Sequence, residues 1–119
     1  MSAFAKVKTQ VKDLNMLKKA LDDLGMKYKL NAKNVSFWRV APQDLDIYVD
    51  SHRLGFVKNG DGYDLVGDSD FQKTFNRIRQ TYSVNVAKRI AEEQGFMVDE
   101  VKERADGKIT ITARRQAYA

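Results

Sequence analysis

From Ala3 to Val11 the residues Ala5, Val7, Thr9 and Val11 alternate with Phe4, Lys6, Lys8 and Gln10. A period of two predicts a half-buried strand. Asp13 then precedes Leu14, Leu17, Leu21 and Leu24, whose spacings of three and four predict a helix capped by the aspartate and stopped by Gly25. Two short strands are expected next, Met26 to Leu30 and Val35 to Val40, separated by an Asn31 to Asn34 turn, with Trp38 on the second. Alternating Leu45, Ile47 and Val49 predict a further strand, reversed at Asp50-Ser51-His52-Arg53 into Leu54 to Lys58. The Asn-Gly and Asp-Gly pairs of Lys58 to Gly67 predict a second tight hairpin, because such turns need residues that tolerate positive φ.

Ser69 with Gln72 forms a capping-box pattern and places Asp70 at the first helical position of a second helix. Its apolar stripe of Phe71, Phe75, Ile78 and Tyr82 is followed by Val86, Ala87 and Ile90 roughly 100° further round, which predicts a kink or a break at Thr81-Tyr82-Ser83. Gly95 ends the helix, and the strands Phe96 to Glu103 and Lys108 to Arg114 pair through Ala105-Asp106-Gly107. The order is β-α-β meander-α-β-β, an α+β domain over residues 1–119 with a mainly antiparallel sheet and the helices packed on one face. Val7, Val11, Ile47, Val49, Leu65, Ile109 and Ile111 are the expected helix-facing sheet residues.

Composition narrows the chemistry. A chain of 119 residues with 43% hydrophobic and 31% charged residues can bury a core of its own. The absence of cysteine excludes disulfides, thiol nucleophiles and thiolate metal sites. No run of about 18 apolar residues occurs, so no membrane-spanning helix is expected. His52 is the sole histidine and sits in a turn; Ser51 beside it lacks the Gly-x-Ser-x-Gly setting of a nucleophile elbow. Asn59, Asp61 and Asp64 have a calcium-like spacing without the terminal glutamate, and Asp44, Asp46 and Asp50 alternate along one strand. No nucleotide-binding glycine motif is present, and Leu54-Gly55-Phe56-Val57 matches the RNA-recognition aromatic motif only in part. No cofactor is expected. A net charge of +5 permits an acidic partner without choosing one. If their strands share a face, Lys6, Lys8, Lys27, Lys29, Lys108 and Arg114, with Trp38, form a basic binding surface.

The opening Ser2-x-Phe4-x-x-Val7-Lys8-Thr9, the central KNGDGYDLVGD, the TYSVNVAKRIAEEQGF segment ending at Phe96 and the closing DGKITITARR together resemble the conserved hypothetical chloroplast reading frame thirty-five family, over nearly the whole chain. Members often carry histidine where this chain has Ala3, and tryptophans where it has Ser69-Asp70-Phe71. The resemblance implies a cyanobacterial, plastid or other bacterial setting and, through the gene neighbourhood of relatives, an AAA-type ATPase partner; it supplies no catalytic residue.

Two expectations follow. One is a noncatalytic adaptor or assembly-type protein docking on a larger complex, an AAA-type ATPase or the photosynthetic machinery, in the cytoplasm or the stroma. The alternative is a single-stranded nucleic-acid-binding module using the basic sheet face with Trp38, Tyr48 or Phe37. A carboxylate-based enzyme stands third.

Overall fold

The computed structural model describes residues 4–68, 70–106 and 108–115; the expected Ser69 cap and the Gly107 end of the closing turn lie outside them. The first strand, β1 (Phe4–Lys8), stops earlier than its alternation predicts. Thr9 leaves the ladder by donating its hydroxyl to the Tyr63 carbonyl at 2.7 Å and accepting the Val11 N–H at 3.1 Å. Asp13 then caps α1 (Leu14–Asp23), its Oδ1 accepting the Met16 N–H at 3.1 Å, and Gly25 ends the helix at φ +69°.

The four strands that follow are β2 (Lys29–Val35), β3 (Gln43–Val49), β4 (Leu54–Asn59) and β5 (Gly62–Asp68), with a 3₁₀ turn at Asp50–His52 between β3 and β4. They join β1 in an antiparallel five-stranded sheet of order β1-β5-β4-β3-β2. The meander is shorter than expected here. The two strands predicted around an asparagine turn are one strand, in which Asn31 and Asn34 take positive φ and the register shifts between Ala32 and Val35. Asparagine tolerates the left-handed region at low cost, so it supports a bulge as readily as a reversal. Trp38 consequently lies in the loop after β2, not in a strand.

One core packs between the sheet and the helices, built from Ile47, Val49, Leu54, Phe56 and Leu65 against Leu17, Leu21 and Ile78. Full burial of each such side chain contributes about 1.5–3 kcal/mol. A smaller cluster of Val35, Phe37, Leu45, Tyr48 and Val66 covers part of the opposite face. Gly55 explains how Leu45 reaches it: a Cβ there would lie 2.5 Å from Leu45 Cδ1 and 2.8 Å from the Ile47 carbonyl oxygen. The missing side chain is the space that Leu45 fills.

The second helix, α2 (Gln72–Glu93), runs for 22 residues without a break, starting after Asp70 with Phe71 in the capping position. The expected kink at Thr81-Tyr82-Ser83 is absent because the turn of the apolar stripe is a change of partner. Phe71, Phe75, Ile78 and Tyr82 pack on the main core, whereas Ala87, Ile90 and Ala91 lie beside the closing hairpin. That hairpin, β6 (Phe96–Glu103) with β7 (Ile109–Arg115), is a separate two-stranded antiparallel sheet. Ile109 and Ile111 therefore face α2 from outside the main sheet. A register shift between Val98 and Glu100 brings Val98 and Val101 onto the same half-buried side despite their odd spacing.

Polar contacts fix the long helix to the body. The Tyr82 hydroxyl accepts the N–H groups of Lys12 and Asp13 at 3.2 and 3.1 Å, Arg89 Nη1 lies 3.0 Å from Asp13 Oδ2, and Asn85 Nδ2 donates to Asp23 at 2.9 Å. Arg79 and Glu103, 3.8 Å apart, tie the hairpin to the same helix. Beyond Ile78 no described residue is buried. The outer half of α2 and the hairpin form an arm, and the Cα radius of gyration of 16.5 Å exceeds the roughly 13.5 Å expected of a compact chain this long.

Candidate functional site

Register places Lys6, Val66, Gly55, Tyr48 and Lys29 in one cross-strand row on the sheet face opposite the helices, with Lys8 on that face beside Asp64. Three of the expected basic residues therefore share a face. They stand at opposite edges of it, four strand spacings or roughly 19 Å apart. Lys27 precedes β2, and Lys108 and Arg114 belong to the separate hairpin, so the six do not form one surface. Several of the charges are also opposed: Lys6 Nζ lies 3.9 Å from the buried Asp64, and Arg114 Nε lies 3.2 Å from Asp99.

Between the two edges runs a strap, the segment from Ser36 to Pro42. Phe37 anchors it, packed 5.4 Å from the Phe4 ring and edge-on to Tyr48 at 6.3 Å. Arg53 clamps it from the β3–β4 turn. Its guanidinium sits 5.5 Å over the Phe37 ring, donates to the Ser36 carbonyl at 2.5 Å and donates to the Tyr48 hydroxyl at 3.1 Å. Tyr48 in turn donates to Asp50 at 3.0 Å, and burial, then this bond to a carboxylate, holds its pKa above the usual phenol value. With the strap held this way, Trp38 turns outward at 56% exposure, flanked by Val40 and by Arg39, whose guanidinium lies 5.4 Å over the indole. Arg39 is itself in the left-handed region at φ +60°. Tryptophan, with tyrosine and arginine, is enriched among the side chains that anchor protein interfaces. The Phe37-Trp38 pair was its only sequence signal, and a strand reading hid which of the two faces solvent.

The carboxylate groups singled out in the sequence serve separate partners. Asp44 accepts the Asn34 N–H at 3.0 Å, Asp46 accepts the Lys58 N–H at 2.6 Å, and Asp50 takes the Tyr48 hydroxyl. The first serves the β2 irregularity between Ala32 and Val35, and the second takes the Lys58 N–H beyond the last β3–β4 pair, Ile47 with Phe56. In the calcium-like loop Asp64 accepts from Asn59 at 2.9 Å, while Asp61 faces Lys12 at 3.6 Å. No three His, Cys, Asp or Glu side chains converge as a metal set among the described residues. His52 contacts Ser51 Oγ through Nδ1 at 2.8 Å in the exposed turn.

A second candidate surface was not foreseen. On the arm, Ala87, Ile90, Ala91, Gln94, Phe96, Ile111 and Ala113 line an open groove of about 480 Å³, in which Ile90 is 47% exposed. Its sequence signal was the shifted stripe of α2, which marks a second packing partner and not a bend. No described helix is long and apolar enough to cross a membrane.

No solved structure matches the chain. Residues 20–112 match the family described as protein of unknown function (DUF1257), which spans α1 to β7. Similar proteins include the uncharacterized protein ycf35 of Guillardia theta, 31% identical over 97% of this chain and 98% of that one. The uncharacterized protein ycf35 of Pyropia yezoensis is 28% identical over 99% of this chain and all of that one. With the family model covering most of the chain and a relative at that identity aligning end to end, the chain belongs to the DUF1257 family, together with the ycf35 proteins of algae.

Proposed function

We propose that this chain is a noncatalytic adaptor or assembly-type protein that docks on a larger protein through the Trp38 strap. What supports the reading is the way Trp38 is presented: Phe37 is buried and Arg53 clamps the loop while the indole beside them faces solvent. Presenting a large aromatic on a loop already held by its own contacts lowers the ordering cost of binding, which is how a small module gains affinity from few residues. The partners to test first are those that the family resemblance implies, an AAA-type ATPase and the photosynthetic machinery, in a cytoplasmic or stromal setting.

A second reading, a single-stranded nucleic-acid module, draws on the same face, where Lys6, Lys8 and Lys29 flank the strap and Trp38 with Arg39 offers a stacking surface. It ranks lower because Asp64, Asp46 and Asp50 lie among these charges. The test is surface plasmon resonance of the immobilised chain against a purified AAA-type ATPase of the kind encoded near relatives. Trp38→Ala is expected to weaken binding at least tenfold. Binding indifferent to Trp38→Ala would overturn the strap. Tight oligonucleotide binding at about 0.15 M salt, lost in Lys6→Glu with Lys8→Glu, would put nucleic acid first.

A further inference from the structure

Two arginines of the strap region hold left-handed backbone, Arg39 at φ +60° and Arg53 at φ +52°. Asn31 and Asn34 share that conformation, but asparagine tolerates it through its short polar side chain and arginine does not. Such backbone persists only where something offsets its strain. For Arg53 the offset is visible. Its N–H donates to the Asp50 carbonyl at 3.2 Å to close the 3₁₀ turn, and its guanidinium clamps the strap through Ser36, Phe37 and Tyr48. Arg39 has no comparable contacts. Its guanidinium lies over the exposed indole of Trp38, and among the described residues it joins none of the ion pairs.

We infer that Arg39 determines the specificity of the Trp38 surface, and that the partner docking there is a protein presenting a carboxylate beside an apolar pocket. The pocket takes the indole with Val40, and the carboxylate meets the guanidinium. This rests on the docking reading above and narrows it to partners with an acidic rim.

Charge complementarity selects that partner. The acids of this face are already engaged: Asp44 accepts the Asn34 N–H and faces Lys33 at 4.0 Å, Asp46 accepts the Lys58 N–H, Asp50 takes the Tyr48 hydroxyl and Asp64 the Asn59 amide. Arg39 is left as a cation beside the most exposed aromatic of the strap. Contact with a ring leaves the N–H donors of a guanidinium for a carboxylate, which it binds through paired hydrogen bonds. One residue thus serves both halves of the contact. A nucleic-acid strand would need a track of cations, whereas the lysines of this face stand at opposite edges with Asp46, Asp50 and Asp64 among them. A single carboxylate needs only Arg39.

Trp38 is the sole tryptophan, so its fluorescence reads this surface alone. The experiment titrates the full chain, at about 0.15 M salt, with a short peptide of glutamate pairs separated by single leucines. The same peptide with glutamine for glutamate and a single-stranded oligothymidylate are the comparisons. The glutamate peptide is expected to give a saturable blue shift, and the glutamine peptide to bind at least tenfold more weakly. Arg39→Gly removes the guanidinium and suits the left-handed backbone. It is expected to weaken the glutamate peptide at least tenfold while its melting midpoint stays level or rises. A lowered midpoint would show that Arg39 serves the fold, and would overturn the inference. Equal binding of the two peptides, or binding of neither, would also overturn it; the strap reading would still be decided by Trp38→Ala against the ATPase. Oligothymidylate bound more tightly than the glutamate peptide would overturn it in favour of nucleic acid.

Discussion

Arg89 and Asp13 lie 3.0 Å apart, joining the outer half of α2 to the residue that caps α1. One carboxylate thus does two jobs: Oδ1 accepts the Met16 N–H and Oδ2 meets the guanidinium. The direction in which the arm leaves the body depends on that shared side chain and on Tyr82 beside it.

Asp13→Ala is expected to cost about 1 kcal/mol through loss of the cap. Asp13→Asn, which keeps a capping oxygen, is expected to cost less. The bond from Met16 and the Arg89 contacts outweigh partial burial and hold the Asp13 pKa below the ordinary 3.8. A depressed folded value means this stabilisation is complete above about 3.8 and disappears as pH falls through the folded value. Urea midpoints of wild type and Asp13→Asn should therefore differ at pH 7 and draw together as pH falls below 3.8; a gap that does not narrow at all across that acid range would assign the effect elsewhere.

Gly60→Ala is expected to destabilise by about 1 kcal/mol, because Gly60 sits at φ +66° in the two-residue turn between Asn59 and Gly62. Gly62 does not take positive φ, so Gly62→Ala should cost less. Equal losses in thermal melts would mean that the turn is not what makes Gly60 necessary.

Gly55→Ala is expected to cost roughly 1–3 kcal/mol, since the added carbon meets the Ile47 carbonyl oxygen, which cannot move without distorting β3. Shortening Leu45 to alanine in the same chain relieves one of the two clashes. The double variant should therefore lose less than the sum of the singles, a coupling that denaturant titration of all four chains measures directly.

Ile78→Ala is expected to cost about 2–5 kcal/mol, as Ile78 is fully buried where α2 meets both α1 and the sheet. Hydrogen exchange should divide α2 at this point. Amides up to Ile78 are expected to exchange through global unfolding, and those of the outer half and the hairpin faster, through local opening. Uniform protection along α2 in a confirmed monomer would contradict the absence of burial beyond Ile78.

Local rules carried much of this fold. The Asp13 cap, the leucine spacing and Gly25 define α1 from adjacent residues alone, and the Asn-Gly turn with its flanking alternation defines the β4–β5 hairpin. These features depend on backbone preferences and on a period, both of which are written in order along the chain. Other features depend on what lies across the molecule. Asn31 and Asn34 have the same left-handed tolerance in a bulge as in a turn, and only pairing with β3 determined which they make. The shifted stripe of α2 has the same pattern whether a helix bends or changes partner, and only the position of the hairpin separated the two. Lys29 and Lys108 look alike in sequence, yet one shares a cross-strand row with Lys6 and the other immediately precedes β7 of the separate hairpin. Strand order is set by long-range pairing, to which no single segment is a guide. The orientation of Trp38 belongs to the same class: Phe37 and Trp38 are adjacent and similarly apolar, and the second sheet face, with Arg53 above it, buried the first and left the second in water.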